Sequence, residues 1–237
     1  MHSNQHSSNL LLQSLPAAEF EMLRPRLEQV ELVKDTVLVE AGAPLTHVYL
    51  PHSGVISMLI RLSEGQAVEV AMVGHDSVFG ASAALDGGIS LTDAVVVLPG
   101  TATRLDVAEF GAAADRSVAL RSLIARHEQA LIAQTQQSVA CNVSHTVEAR
   151  LSRWLLRARD LSDSETLPLT QEFLARMIGA QRNAVSIVAH AMQQAGIIRY
   201  SRGHIEIRDI GALRIASCEC YRAVKEQRDR LLKAAPD

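Results

Sequence analysis

Leu169-Thr170-Gln171-Glu172-Phe173-Leu174-Ala175-Arg176-Met177-Ile178-Gly179 opens the stretch, ending at Ile207, that decides how this 237-residue chain is read. Thr170 suits a helix N-cap, and Glu172 sits in the first turn, where a carboxylate meets the positive end of the helix dipole. Leu169 and Leu174 hold the N′ and N4 places of a hydrophobic staple. Leu174, Met177 and Ile178 form a stripe for burial, and Gly179 allows the chain to turn. A second helix runs from about Gln181 and stops before Gly196, where a C-terminal cap is wanted. Its apolar stripe is Val185, Val188, Ala189 and Met192, at helical spacing. The opposite face carries Arg182, Asn183, Ser186, Ile187 and His190. Two short helices joined by a tight glycine turn are the helix-turn-helix layout, whose second helix enters the DNA major groove.

Arg182 suits the two acceptors of guanine, Asn183 pairs with adenine, Ser186 reads several bases, and Ile187 packs on a thymine methyl. Beyond Gly196, Ile198 with Tyr200 and Ile205 with Ile207 alternate about a turn containing Gly203. This predicts a two-stranded wing with Arg199 and Arg202 placed for phosphate. The expected DNA-contacting set is Thr170, Gln171, Gln181, Arg182, Asn183, Ser186, Ile187, His190, Arg199 and Arg202.

Working back towards the N-terminus, no Pro or Gly interrupts Arg116 to Cys141. Leu120, Ile124, His127, Leu131, Gln134, Ser138 and Cys141 step through it as a heptad seam, apolar first and polar later. Such a seam serves a helix packed on its own domain or one paired with a two-fold mate; its length favours the pair. Leu120 to Ser138 are therefore the expected dimerisation residues, with Gln134 and Ser138 near a ligand or hinge. Asn142-Val143-Ser144 reads as an interruption, with Ser144 capping the helix through Trp154 to about Leu161. Ser162-Asp163-Ser164-Glu165 is a polar connector.

From about Val30 to Leu105 the period changes to two. Val48 and Leu50, then Val55, Ser57 and Leu59, then Val68, Val70 and Met72 alternate, and Ala94 to Leu98 is a buried-looking run. Turn signals fall at Ala41-Gly42, Pro51 to Gly54, Glu64-Gly65, Asp86-Gly87-Gly88 and Pro99-Gly100, with Glu64-Gly65 the clearest hairpin. Short strands at this spacing predict an antiparallel sandwich or barrel.

The net charge of −3 hides an asymmetry. Residues 1–141 hold 8 Lys and Arg against 15 Asp and Glu, net −7, whereas residues 142–237 hold 15 against 11, net +4. That pattern fits an acidic module joined to one that faces a polyanion. The start, Met1 to Asn9, is polar, and no stretch reaches the roughly 18 apolar residues of a membrane span, so a cytoplasmic protein without membrane contact is expected. Cys141, Cys218 and Cys220 are too few for a disulfide framework.

The segment from Leu169 to Gly179, with Arg182 and Val185-Ser186, resembles the CRP/FNR superfamily of bacterial regulators. The resemblance implies an α+β fold with an N-terminal antiparallel, jelly-roll-like β-roll (1–115), a dimerisation helix and hinge (116–143) and a C-terminal winged helix-turn-helix (144–237). It implies a homodimer on palindromic promoter sites, with double-stranded DNA, a second copy of itself and RNA polymerase as partners. The residue matching Arg182 contacts guanine in that family; Asn183 stands where Glu is usual, so the half-site is expected to differ. Family members that bind cyclic AMP hold it with a Gly-Glu segment and a following Arg-Ser/Thr-Ala segment. Here Gly74, Phe79 and Gly80 keep part of that pattern and are the expected effector residues, together with Gln134 and Ser138. No Arg lies between Arg61 and Arg104, so cyclic AMP bound in the usual way is not expected.

An iron–sulfur cluster needs N-terminal cysteines that this chain lacks. No spacing singles out His47, His52, His75 or His127 as a haem ligand, and Cys218-x-Cys220 is too short to argue for a metal by itself. No cofactor is expected. No phosphate-cradling loop, HExxH or nucleophile elbow marks an enzyme. The alternative to a DNA-binding regulator is a dimeric ligand-binding or scaffold protein without DNA contact.

Overall fold

The period-two alternation from Glu28 to Asp106 is realised as antiparallel strands: β1 (Glu28–Leu32), β2 (Val37–Val39), β3 (His47–Pro51), β4 (Val55–Arg61), β5 (Ala67–Val73), β6 (Asp93–Leu98) and β7 (Gly100–Asp106). The computed structural model describes residues 8–85, 88–162 and 164–233; the turn read at Asp86-Gly87, and Asp163 in the polar connector, lie outside them. Strands β1-β7-β3 form one sheet and β2-β6-β4-β5 the other. The hairpin at Glu64-Gly65 joins β4 to β5, with Ile60 opposite Val68 and Gly65 at φ +83°.

Alternation divides each strand between two cores. Ile56, Val73, Val96 and Ala102 point between the sheets. Val48, Leu50 and Leu105 point the other way, under α1 (Leu10–Ser14), α2 (Ala17–Leu23), α3 (Val107–Arg116) and the start of α4 (Val118–Ser144). The outer face of the four-stranded sheet is covered as well. Val55, Leu59, Met72, Val97 and Leu98 share a cluster with Leu151, Trp154, Leu155 and Leu161 from α5 (Val147–Ser162). Each such large side chain contributes roughly 1.5–3 kcal/mol on full burial.

The N-terminal helices were not read from the sequence; Asn9 caps α1 and donates to the carbonyls of Pro51 and Ser77. Helix α4 starts at the Ser117 cap and spans about 40 Å at 1.5 Å per residue. Its break falls later than expected. Ser144 ends α4, and Thr146, whose hydroxyl accepts from the Ala149 amide at 3.3 Å, caps α5 instead.

The predicted heptad seam meets its own chain, which corrects the expected dimer surface. Leu120 and Ile124 are buried with the helices over the β1-β7-β3 sheet. His127 Nε2 accepts from the Val78 amide at 3.2 Å, Gln134 Nε2 donates to the Met72 carbonyl at 3.2 Å, and Ser138 is bonded to the Gln134 carbonyl. Leu131 is half-buried at a cavity wall. The face left open carries Val118, Ala125, Ile132, Val139 and Val143, with Ile132 55% and Val139 60% exposed.

The C-terminal module comprises β8 (Thr166–Leu167), α6 (Gln171–Met177), α7 (Arg182–Gln194), β9 (Ile198–Ser201), β10 (His204–Ile207), α8 (Ile210–Ala216) and α9 (Cys220–Lys233). Helix α9 lies antiparallel on α4: Cys220 meets Gln137, while Arg228 and Leu232 approach His127 and Ala130. Among the described residues no helix is long and apolar enough to cross a membrane.

Candidate nucleic-acid interface and sensor cavity

Local chemistry sets the helix-turn-helix. The Thr170 hydroxyl accepts from the Phe173 amide at 3.1 Å, Leu169 and Leu174 are buried as a staple, and Gly179 turns the chain at φ +60°. Helix α7 closes with a Schellman pair, Ile197 amide to Met192 carbonyl and Gly196 amide to Gln193 carbonyl. That geometry needs a left-handed residue after the cap, and Gly196 takes it at φ +75° without a Cβ penalty.

Val185, Ala189 and Met192 face the core, so the other side of α7 is presented outward: Arg182, Asn183, Ile187 and His190 are exposed, Ile187 at 72%. Gln181, just ahead of them, is exposed too. Ser186 is half-buried and its hydroxyl donates to Gln171 Oε1 at 2.7 Å, tying the two helices together. Strand β8 joins β10 and β9 in a three-stranded wing sheet. The wing turn, Arg202-Gly203, has both residues at positive φ, the type I′ arrangement of a two-residue hairpin. Gln193 Oε1 accepts from the Tyr200 amide at 2.8 Å and fixes the wing against α7. Arg199 and Arg202 are exposed, and among the described residues neither they nor Arg182 is held in an ion pair.

A cavity of about 440 Å³ lies between the β-roll and α4. Phe79 and Gly80 line it, as expected, with Met58, Ile89, Leu91 and Leu131. Gly74, Gln134 and Ser138 do not, which corrects their reading as effector residues. Gly74 packs on the Leu161 side chain, where a Cβ would lie 2.7 Å from Cδ2. Gln134 and Ser138 hold backbone carbonyls instead. Among the described lining residues the one charged side chain is Glu128, and Arg61 is paired with Asp93 at 2.6 Å. A cyclic phosphate does not fit this lining, because its charge would meet a carboxylate and no cation.

The residues that fasten the winged helix to the β-roll escaped the sequence reading. Asp76, buried after β5, accepts from Arg157 at 2.7 and 3.1 Å and also from Arg228. Burial alone would raise its pKa, but the two guanidinium groups outweigh it and hold the carboxyl well below the usual range. Glu69 on β5 accepts from Trp154 Nε1 at 2.8 Å and from the Ser57 hydroxyl. Burial dominates there and pushes its pKa up to about 7. Glu69 sits at an ordinary alternating strand position, so only an acid among apolar neighbours hinted at it. His47, His52 and His75, weighed as haem ligands, bond separately to Thr46, Thr103 and the Leu161 carbonyl.

A β-roll with a ligand-sized cavity, a long connecting helix and an outward-facing winged helix-turn-helix define a DNA-binding transcription regulator. Residues 29–117 match the cyclic nucleotide-binding domain and residues 149–215 the Crp-like helix-turn-helix domain. The chain belongs to the CRP/FNR family of transcription regulators. Among solved structures it is similar to FixK2 from Bradyrhizobium japonicum, with 18% identity and a TM-score of 0.67 over 81% of this chain and 98% of that one. It is also similar to the CRP/FNR-family regulator TTHA1359 from Thermus thermophilus, with 20% identity and a TM-score of 0.65 over 80% and 98%. The c-di-GMP responsive regulator CLP from Xanthomonas campestris gives 14% identity and a TM-score of 0.65 over 82% and 100%. No curated protein matches at the level of sequence.

Proposed function

We propose that two copies of the chain bind a palindromic duplex, each placing α7 in a major groove, and that a ligand in the roll cavity adjusts the pair. The observation that carries this is the outward face of α7, with Arg182 and Asn183 at its start and the wing arginines beside it. Residues 1–115 act as the sensor, 116–143 as the connector and 144–237 as the reading head. The copies join along the open stripe of α4, Val118, Ala125, Ile132, Val139 and Val143, because the other stripe is already used inside the chain. The cavity's apolar wall and Glu128 suit an uncharged or cationic small molecule better than a nucleotide phosphate.

The test is selection of binding sites from a randomised duplex pool by the purified protein at near-physiological salt. A two-fold-symmetric site, with half-sites about one helical turn apart, is expected. A folded dimer that enriches no sequence, alone or with cell-extract small molecules, would refute the proposal.

A further inference from the structure

Away from the exposed face of α7, the wing and the cavity, one cluster of side chains serves none of the roles above. Cys141 lies in the last turn of α4, and His145, four residues on, is the extended residue that follows the helix end. Cys218 lies just before α9 and Cys220 opens it, beyond α7 and the wing in sequence. Folding brings the four together: one ligand atom from each lies within 4.8 Å of every other. Cys141 Sγ is 3.5 Å from Cys218 Sγ, and Cys220 Sγ is 3.7 Å from His145 Nδ1. Cys141 and Cys220 are fully buried and Cys218 is nearly so.

We propose that this cluster is a tetrahedral zinc site of three cysteines and one histidine, clasping the end of α4 to the start of α9. The spacing is that of a coordination shell. With Zn–S near 2.3 Å and Zn–N near 2.0 Å, the edges of a tetrahedron are about 3.5–3.8 Å long; the Cys141–Cys218 and Cys220–His145 edges fall in that range, and the other four lie within 4.8 Å. The surroundings match as well. His145 Nε2 lies 3.3 Å from Glu219 Oε1, so with Nδ1 towards the metal the other ring nitrogen meets a carboxylate, the usual outer partner of a zinc-bound imidazole. Gln137 Nε2 donates to Cys220 Sγ at 3.1 Å, an N–H contact that favours a thiolate. Binding exchanges the thiol protons for the ion and releases them to solvent. Sulfur and imidazole donors select zinc over magnesium or calcium. The site joins the long helix to the reading head at its hinge, so occupancy fixes the angle between them.

The test uses the full chain, reduced and stripped of metal, with Co²⁺ as the spectroscopic probe. One Co²⁺ per chain is expected, with thiolate-to-metal charge transfer and strong tetrahedral visible bands, displaced by one equivalent of Zn²⁺. Zn²⁺ should also shield all three thiols from a thiol reagent and raise the melting temperature. Cys220→Ser and His145→Gln, checked for unchanged helix content, should bind at least tenfold more weakly. The proposal is overturned if the wild type takes up no Co²⁺ or gives only the weak octahedral spectrum, if its thiols react equally with and without Zn²⁺, or if folded variants bind as tightly. Should either variant fail to fold, the wild-type spectrum decides alone.

Discussion

Arg182 opens α7 with an exposed side chain that is held in no ion pair among the described residues. Replacing it should leave folding unchanged and, on the proposed reading, remove one bidentate base contact. Arg182→Ala is expected to weaken binding to the selected site by roughly 1–3 kcal/mol and relax one base position. Arg199 and Arg202, exposed on the wing, are proposed to meet the phosphate backbone instead. Arg202→Ala should weaken all duplexes alike and reduce the salt slope by about one. Fluorescence anisotropy on matched and scrambled duplexes across a salt series separates the two roles. Loss of affinity from Arg182→Ala that is equal for both duplexes would remove it from base reading.

Helix α4 carries two stripes, and the prediction at the scale of the element is that they do different work. Ile124 is buried inside the chain, so Ile124→Ala should lower folding stability by roughly 2–5 kcal/mol. Ile132 is 55% exposed, so Ile132→Glu should leave the denaturant midpoint of the monomer unchanged and split the dimer. Sedimentation equilibrium beside urea melts reads both; a dimer that survives Ile132→Glu returns the interface to some other surface. Periodicity made the helix legible, because a seven-residue repeat fixes which side chains share a face. It left open what covers that face. Leu120 to Ser138 repeat as an intermolecular seam would, yet the roll and α9 cover them.

At the scale of the whole molecule, the winged helix is docked on the roll through a continuous apolar core with two buried carboxylates in it. They titrate in opposite senses. Glu69 has a folded pKa of about 7, above the ordinary 4.5, so the folded chain holds that proton more tightly than the unfolded one. Its contribution is complete below about pH 4.5 and is lost as pH rises through 7, amounting to roughly 3 kcal/mol. Asp76 is depressed, so its contribution is present above its ordinary range and fades as the solution becomes strongly acidic. Thermal stability should therefore fall between about pH 4.5 and 7. Glu69→Gln should flatten that slope, with Trp154 fluorescence as a local reporter because its indole N–H bonds the same carboxylate. The same slope in wild type and variant would show that Glu69 does not titrate there.

The sequence by itself determined the parts whose causes are local. The Thr170 cap, the Leu169–Leu174 staple, the Gly196 terminus and the Arg202-Gly203 turn each depend on residues within one or two helical turns. The alternation from Val48 to Leu98 likewise assigned strands but not their inner faces, since Val48, Leu50, Val55, Leu59 and Met72 all turn away from the space between the sheets. The recognition face of α7 followed, since knowing the buried stripe gives the opposite one. Only the tertiary structure decided what each face meets. It placed α9 along the seam of α4, set Phe79 and Gly80 at the cavity while turning Gly74 and Gln134 away, and closed Arg157 and Arg228 on Asp76. It also gathered Cys141, His145, Cys218 and Cys220 from the two sides of the helix-turn-helix and wing. Period and capping are encoded in near neighbours; the partner of a buried face is chosen by packing between segments far apart in the chain, which no local pattern records.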